Sequence, residues 1–261
     1  EQEEVIRARF KGDAHTSFDL INGPLLRTRL IRLSNMEHVM IVSMHHIIAD
    51  GWSMGVFIRE MALLYDAFTQ DRPTPLSDLK IQYADYSLWQ REWLAGERLE
   101  RQLSYWKTRL DGVPVLELPT DFPRPPMHTY QGANLHFRLD VETSRALNEV
   151  AKKQGVTLFM TLFAALQVLL HRYSGQDDVC VGTPIAGRVR PELEHLIGCF
   201  VNTLAIRSDL SGNPTFTSLL KQMQQNLTGA YDHQDIPFER LVDELGVARE
   251  MSHTPLFQVM F

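Results

Sequence analysis

The run Met44-His45-His46-Ile47-Ile48-Ala49-Asp50-Gly51-Trp52-Ser53 gathers two imidazoles, a carboxylate and a glycine in one short stretch. An imidazole titrates near neutrality, so a histidine here could take a proton from an amine or hydroxyl that attacks a thioester. Asp50 could orient the loop through a charge-assisted bond. Gly51 leaves room for a substrate to come close to the backbone. Acyl transfer is the chemistry these residues suit. Plainer readings stand beside it. One His-His pair in a chain with 10 histidines carries little weight alone. His45, His46 and Asp50 are also metal-ligating types, but no further ligand follows at a recognisable spacing.

The elements around this run must hold it. His38 to Met44 is β-rich and reads as a buried strand ending at the histidines. Met54, Phe57, Met61, Leu64 and Phe68 then recur at helical steps, with Ser53 as the expected N-cap. The histidines therefore lie on a strand-to-helix loop, a place where a rigid scaffold commonly presents catalytic groups. Upstream, Leu26, Thr28 and Leu30 alternate with Arg27 and Arg29 as in a half-exposed strand.

Downstream, Tyr83 to Leu110 reads as amphipathic helix, with Tyr83, Tyr86 and Trp89 as aromatic core positions. Pro114, Pro119, Pro123, Pro125 and Pro126 then forbid helix and mark a boundary between two lobes. Ala133 to Leu139 alternates like a strand, and Glu142 to Gln154 reads as a helix stopped by Gly155. Thr157 to Tyr173 is apolar nearly all round, the pattern of a buried helix. Val179 to Pro184 and Phe200 to Arg207 read as strands. Asn213-Pro214 is an expected helix start before Phe216, Leu219, Leu220, Met223 and Leu227. The expected class is α/β, with mixed sheets, in two lobes. We divide it as 1–118, a Pro-rich connection 119–131, and 132–261.

Composition narrows the function. The chain has 261 residues, 44% hydrophobic and 22% charged, which suits a packed globular protein. A net charge of −6 argues against a phosphate-coating nucleic-acid binder. Two cysteines, Cys180 and Cys199, make no disulfide framework, and a reduced, cytoplasmic setting is expected. The longest apolar stretch, Val156 to Leu170, falls short of the roughly 20 residues a bilayer span needs. The chain starts at Glu1 rather than Met and ends on Leu256 to Phe261, an apolar run that reads as a core strand. It is therefore expected to be a piece of something longer.

Five motifs, taken together, resemble the condensation domains of nonribosomal peptide synthetases. His45-His46-x-x-x-Asp50-Gly51 is similar to their core motif. Tyr83 to Trp89 resembles Tyr-x-Asp-(Phe/Tyr)-x-x-Trp. Gly182 to Arg188 resembles Gly-(Thr/Ser)-Pro-x-Ala-x-Arg. Ile197 to Leu204 is similar to Ile-Gly-x-Phe-Val-Asn-Thr, and His233 to Glu239 to His-Gln-Asp-x-Pro-Phe-Glu. They follow the family order over most of the chain. The family's two N-terminal motifs and the end of its second lobe are not in the sequence, so the chain resembles the middle of such a domain.

The resemblance implies two chloramphenicol acetyltransferase-like lobes in a V, here truncated at both ends. It implies amide-bond formation between a carrier-bound aminoacyl or peptidyl thioester and a carrier-bound aminoacyl acceptor. His46 takes the catalytic histidine's position, as base or by positioning the amine. Asp50 holds the loop by an ion pair, for which we propose Arg188 as the partner, and Gly51 sits near the reacting thioester. His45, Trp52 and Asn202 support the site. No metal or directly bound cofactor is implied, only the phosphopantetheine arms of partner carriers. The implied partners are upstream and downstream peptidyl carrier proteins and an adjacent adenylation domain, with no nucleic acid and no membrane, the domain being monomeric within a megasynthase.

Particular residues weigh against the other readings. A stand-alone acyltransferase using coenzyme A or a carrier-bound donor would share His-x-x-x-Asp without the whole motif series. An epimerisation domain would carry a different run in place of Trp52-Ser53, and a cyclisation domain would have aspartates at 45 and 46. A non-catalytic docking domain would often lack the second histidine. The motif string looks more like the type joining an L-donor to an L-acceptor.

Overall fold

The structure, a computed structural model, describes residues 2–127, 132–247 and 254–261. Its contacts divide the chain into two compact units: Glu1–Trp89 with Arg188–Val201, and Gln90–Gly187 with Asn202–Phe261. Packing thus follows a different line from the division drawn at the prolines. Residues 90–118 belong with the second unit, because Leu94, Leu103, Trp106, Leu110 and Leu116 are buried in its core. Arg188–Val201 belongs with the first, because Leu193, Leu196 and Phe200 bury themselves against Tyr86. Part of the expected connection, residues 128–131, lies outside the described residues.

The first unit contains α1 (Gln2–His15), β1 (Leu26–Arg32), β2 (His38–Met44) and α2 (Gly51–Phe68). It also holds the start of α3 (Tyr83–Trp93) and the short 3-10 turn Pro191–Leu193. β1 and β2 pair antiparallel, with Arg29 opposite Ile41 and Leu30 opposite Met40. A ribbon of two strands has two faces, and α1 covers the one carrying the arginines. Arg29 makes two bonds to the Asp13 carboxylate, at 2.9 and 2.8 Å, and Arg27 donates to the Thr16 carbonyl. The leucine face is the open one, with Leu30 69% exposed. β2 is accordingly not the buried strand expected; Ile41 is its one buried residue.

In α2 the buried positions are Ser53, Val56 and Ala67, while Met61 and Phe68 of the expected stripe are exposed. The helix is apolar on several sides, so periodicity alone picked the wrong side. Its N-cap is Asp50, not Ser53. The helical stretch from Tyr83 to Leu110 is two helices, α3 and α4 (Gly96–Leu110). Gly96 starts α4 with φ +54°, a left-handed conformation that interrupts a continuous helix.

The second unit has α4, α5 (Val141–Gln154), α6 (Leu158–Ser174), β3 (Asp178–Ile185), β4 (Asn202–Asp209), α7 (Phe216–Asp232) and α8 (Phe238–Leu245). Val181, Gly182 and Thr183 of β3 are buried opposite Ile206, Ala205 and Leu204 of β4, and the buried Val179 and Cys180 face Ser208 and Arg207. Helix α6 packs on β3 and α7 on β4. Burying each large aliphatic or aromatic side chain here contributes about 1.5–3 kcal/mol. Phe163 and Ala164 of α6 are fully buried, but Leu169 and Tyr173 are exposed, so α6 is one-faced rather than buried all round. Gly155 ends α5 in the left-handed conformation, as its position implied. Residues 132–140 form no strand and are exposed; alternation there is not matched by a paired neighbour. Thr215, not Asn213, caps α7, its side chain accepting from Ser218 N–H. The C-terminal apolar run forms one parallel bridge, Met260 to Gly182, rather than a full strand. The Phe257 ring lies where a side chain on residue 182 would stand, so only glycine fits that position of β3.

Candidate active site

The loop between β2 and α2 is fixed from its far end. Asp50 is extended, and its side chain turns back over the first turn of α2. Its Oδ1 accepts the Ser53 N–H at 2.8 Å, satisfying an orphan donor of the helix start. The Ser53 hydroxyl lies 2.7 Å from the same oxygen and 2.8 Å from the Gly198 carbonyl oxygen, so its one proton serves either. That hydroxyl accepts from Gly198 N–H at 3.1 Å, and Asp50 Oδ2 accepts from Phe200 N–H at 3.0 Å. One aspartate and one serine thus stitch the start of α2 to the backbone of residues 198–200.

Asp50 and Arg188, expected as partners from their motif positions, lie 3.2 Å apart, with side chains 4% and 1% exposed. Arg188 Nη2 also donates to Ser53 Oγ at 2.9 Å. Its Nη1 donates to the carbonyls of Leu193 and Leu196, and its guanidinium lies 4.0 Å from the centre of the Phe200 ring. The two buried charges are paired with each other, the condition under which burial is tolerable, although Arg188 Nε is buried without a hydrogen-bond partner. Burial alone would raise the Asp50 pKa. The Ser53 and Phe200 bonds and the Arg188 charge outweigh it and hold Asp50 below its usual 3.8.

The two histidines face different surroundings. His45 is half-buried; its Nδ1 accepts the Ile47 N–H at 3.1 Å, and its ring meets Phe18 edge-on at 5.8 Å. His46 is exposed, and its Nδ1 lies 3.8 Å from Cys199 Sγ. Gly51 opens α2, and a methyl group built on it would meet nothing within 4 Å, so packing does not demand glycine there. Trp52 is half-exposed and donates from Nε1 to the Glu194 carbonyl at 2.9 Å. Beside these two residues is a cavity of about 340 Å³, also bordered by Arg59 and His195.

Asn202 belongs to the second unit. Its Nδ2 donates to the carbonyls of Gln234 and Ile236 at 2.9 and 2.8 Å, and its Oδ1 accepts from Phe238 N–H and Thr203 N–H. It pins the turn of the His233 to Glu239 motif. Four further site residues were not among the sequence candidates: Ser53, Tyr83, Gly198 and Cys199. Tyr83 donates to the Cys199 carbonyl at 2.8 Å and packs edge-on against Phe200. A Cβ on Gly198 would run into the Tyr83 ring. Ser53 was legible as a helix-start residue three after an aspartate; the other three needed the long-range fold. Among the described residues no group of three or more His, Cys, Asp and Glu side chains is placed to hold a metal ion.

This is a mixed α/β protein whose histidine loop is clamped by a buried ion pair, and the class it defines is the condensation domain. The condensation-domain family model matches residues 1–261, and the chain belongs to that family. It is 55% identical over 250 residues to a component of the linear gramicidin synthase of Brevibacillus parabrevis, covering 95% of this chain and 5% of that protein. It is 48% identical over 262 residues to malpinin synthetase of Mortierella alpina, covering 100% of this chain and 3% of that one. Among solved structures it superposes on the X-domain from teicoplanin biosynthesis with a TM-score of 0.93 at 33% identity, over 99% of this chain and 59% of that one. The fold is the chloramphenicol acetyltransferase-like fold of that family. The chain spans a small fraction of the curated relatives it matches.

Proposed function

We propose that this chain carries the catalytic histidine loop of a peptide-bond-forming condensation domain in a nonribosomal peptide synthetase. The observation that carries the proposal is the buried Asp50–Arg188–Ser53 clamp, which fixes the loop while leaving His46 exposed at its start. In the reaction, the acceptor amine attacks the donor thioester carbonyl; a C–N bond forms, the C–S bond breaks, and the carrier thiol leaves. His46 serves as base for the amine proton or positions the amine. Asp50 holds the loop without touching substrate, and Gly51 leaves the backbone open to the thioester. His45, Trp52, Arg188 and Asn202 support the arrangement.

Both substrates would arrive on phosphopantetheine arms of upstream and downstream peptidyl carrier proteins, with an adenylation domain adjacent, the domain acting as a monomer within a cytoplasmic megasynthase. No single helix among the described residues is long and apolar enough to cross a membrane. The motif string supports an L-donor and L-acceptor, and the Pro-rich segment 119–131 is read as the connection between lobes. The test is single-turnover condensation in the full-length parent module, with both carriers pre-loaded and carrier-bound product read by mass spectrometry. Wild type should form the amide, and folded His46→Ala should form it about 100-fold or more slowly. A wild type that transfers nothing between carriers, or an unimpaired His46→Ala, overturns the proposal; acyl coenzyme A with small acceptors would then test stand-alone acyl transfer.

A further inference from the structure

The structure places a thiol against one ring nitrogen of His46, and we propose that Cys199 is a positioning residue that fixes the tautomer and orientation of that imidazole. This rests on the reading of His46 as the catalytic histidine and deepens it.

The contact is built from both sides. Cys199 Sγ lies 3.8 Å from His46 Nδ1. The backbone around Cys199 is held at three successive residues: Gly198 N–H donates to Ser53 Oγ, the Cys199 carbonyl accepts from Tyr83, and Phe200 N–H donates to Asp50. Asp50 and Ser53 are the same residues that end the His46 loop and start α2. The thiol and the imidazole are therefore carried by two segments fastened to one anchor, which sets the distance between them. Cys180 offers the contrast. It is fully enclosed in the second unit's core, where burial pushes its thiol up to about 12, and it is only packing.

The chemistry follows from which ring nitrogen is engaged. In a neutral imidazole one nitrogen donates and the other accepts, and the partner of the first decides the state of the second. In the proposed arrangement His46 Nδ1–H donates to the Cys199 sulfur and the lone pair lies on Nε2, at the opposite edge of the ring; a thiol S–H donating to Nδ1 would set the opposite tautomer. Nε2 is then the atom that takes or orients the amine proton. His45 differs: its Nδ1 accepts a backbone N–H, so its neutral ring carries its proton on Nε2 and presents no base there. In that arrangement the neighbouring histidines hold opposite tautomers, His45 by a backbone donor and His46 by the thiol. Among the described residues, the titratable and charged side chains bonded into this region include Asp50, Arg188, Tyr83, His45 and Cys199 itself. The first two are committed to each other, and Tyr83 to the Cys199 carbonyl.

The test compares Cys199→Ala, Cys199→Ser, His46→Ala and the double variant Cys199→Ala/His46→Ala in the parent module, by single-turnover amide formation at saturating loaded carriers. Thermal unfolding of each variant is measured in parallel. Cys199→Ala should slow the chemical step about tenfold with carrier affinity unchanged, and Cys199→Ser, which keeps an acceptor, should recover most of it. In the His46→Ala background the Cys199→Ala change should cost nothing more. A full-rate Cys199→Ala overturns the inference, as does equal slowing in both backgrounds, which would mean Cys199 acts independently of His46. If His46→Ala is itself unimpaired, the parent reading fails instead, so the two failures are distinguishable.

Discussion

Asp50 and Asp235 are both carboxylates drawn away from water, one in each compact unit, and they are driven in opposite directions. Asp50 receives Ser53 N–H, the Ser53 hydroxyl, Phe200 N–H and Arg188, and these donors hold it below the usual carboxylate value against the effect of burial. For Asp235, desolvation dominates and raises the value; the Arg98 and His233 charges and the Gln102 amide, at 2.9 Å, offset it incompletely. Burial raises both values; the larger set of directed donors at Asp50 reverses the direction there and the smaller set at Asp235 does not. Asp50 is organised as a permanent anion that ties segments distant in sequence. Asp235 is a poorly supported anion in a turn that Asn202 already pins.

The largest effect expected from breaking this comparison is at Asp50. Asp50→Asn removes the charge facing a guanidinium that is 1% exposed, and should cost about 3–5 kcal/mol in denaturant unfolding, because it strands a buried charge. Gly198→Ala comes next. Its new methyl would meet the Tyr83 ring, so Tyr83 or the 198–200 backbone must move; about 1–3 kcal/mol of stability should be lost. The loss of condensation should exceed what stability explains, since the displaced segment carries the clamp's backbone donors. Asp235→Asn should be the mildest, within about 1 kcal/mol of wild type at neutral pH.

Acid titration separates the two carboxylates by sign. The folded pKa of Asp50 is depressed, so its stabilisation is present above 3.8 and is lost as pH falls through the folded value. The gap between wild type and Asp50→Asn should therefore narrow below pH 3.8. The folded pKa of Asp235 is raised, so its contribution is present below 3.8 and lost as pH rises through the folded value. Relative to wild type, Asp235→Asn should gain as pH rises from 3.8. Unfolding midpoints across pH 2 to 7 read both trends.

How much of this was legible in the sequence differs between the two units. The five motifs pointed to the family, and the strand-loop-helix around His46 followed from local pattern. Gly155 stopped its helix because a left-handed cap needs no partner elsewhere. Errors came where a choice depended on distant residues. Ser53 was read as the cap of α2, but Asp50 takes that role, because the Ser53 hydroxyl is spent on Gly198 and Arg188. The arginine face of β1 is the covered one because Asp13 and two loop carbonyls sit above it. Residues 132–140 alternate without a pairing strand, and alternation alone does not make a ladder. Tyr83, Gly198 and Cys199 join the site only through hydrogen bonds and contacts spanning over 100 positions.

The central claim is that Asp50 and Arg188 act as one unit in holding the His46 loop. A double-mutant cycle of Asp50→Asn and Arg188→Met tests it directly, read by denaturant unfolding and by single-turnover amide formation in the parent module. Strong coupling is expected: each single change costs about 3 kcal/mol or more, and the double variant costs far less than their sum. Additive losses, or an Arg188→Met variant that keeps full stability and rate, would contradict it.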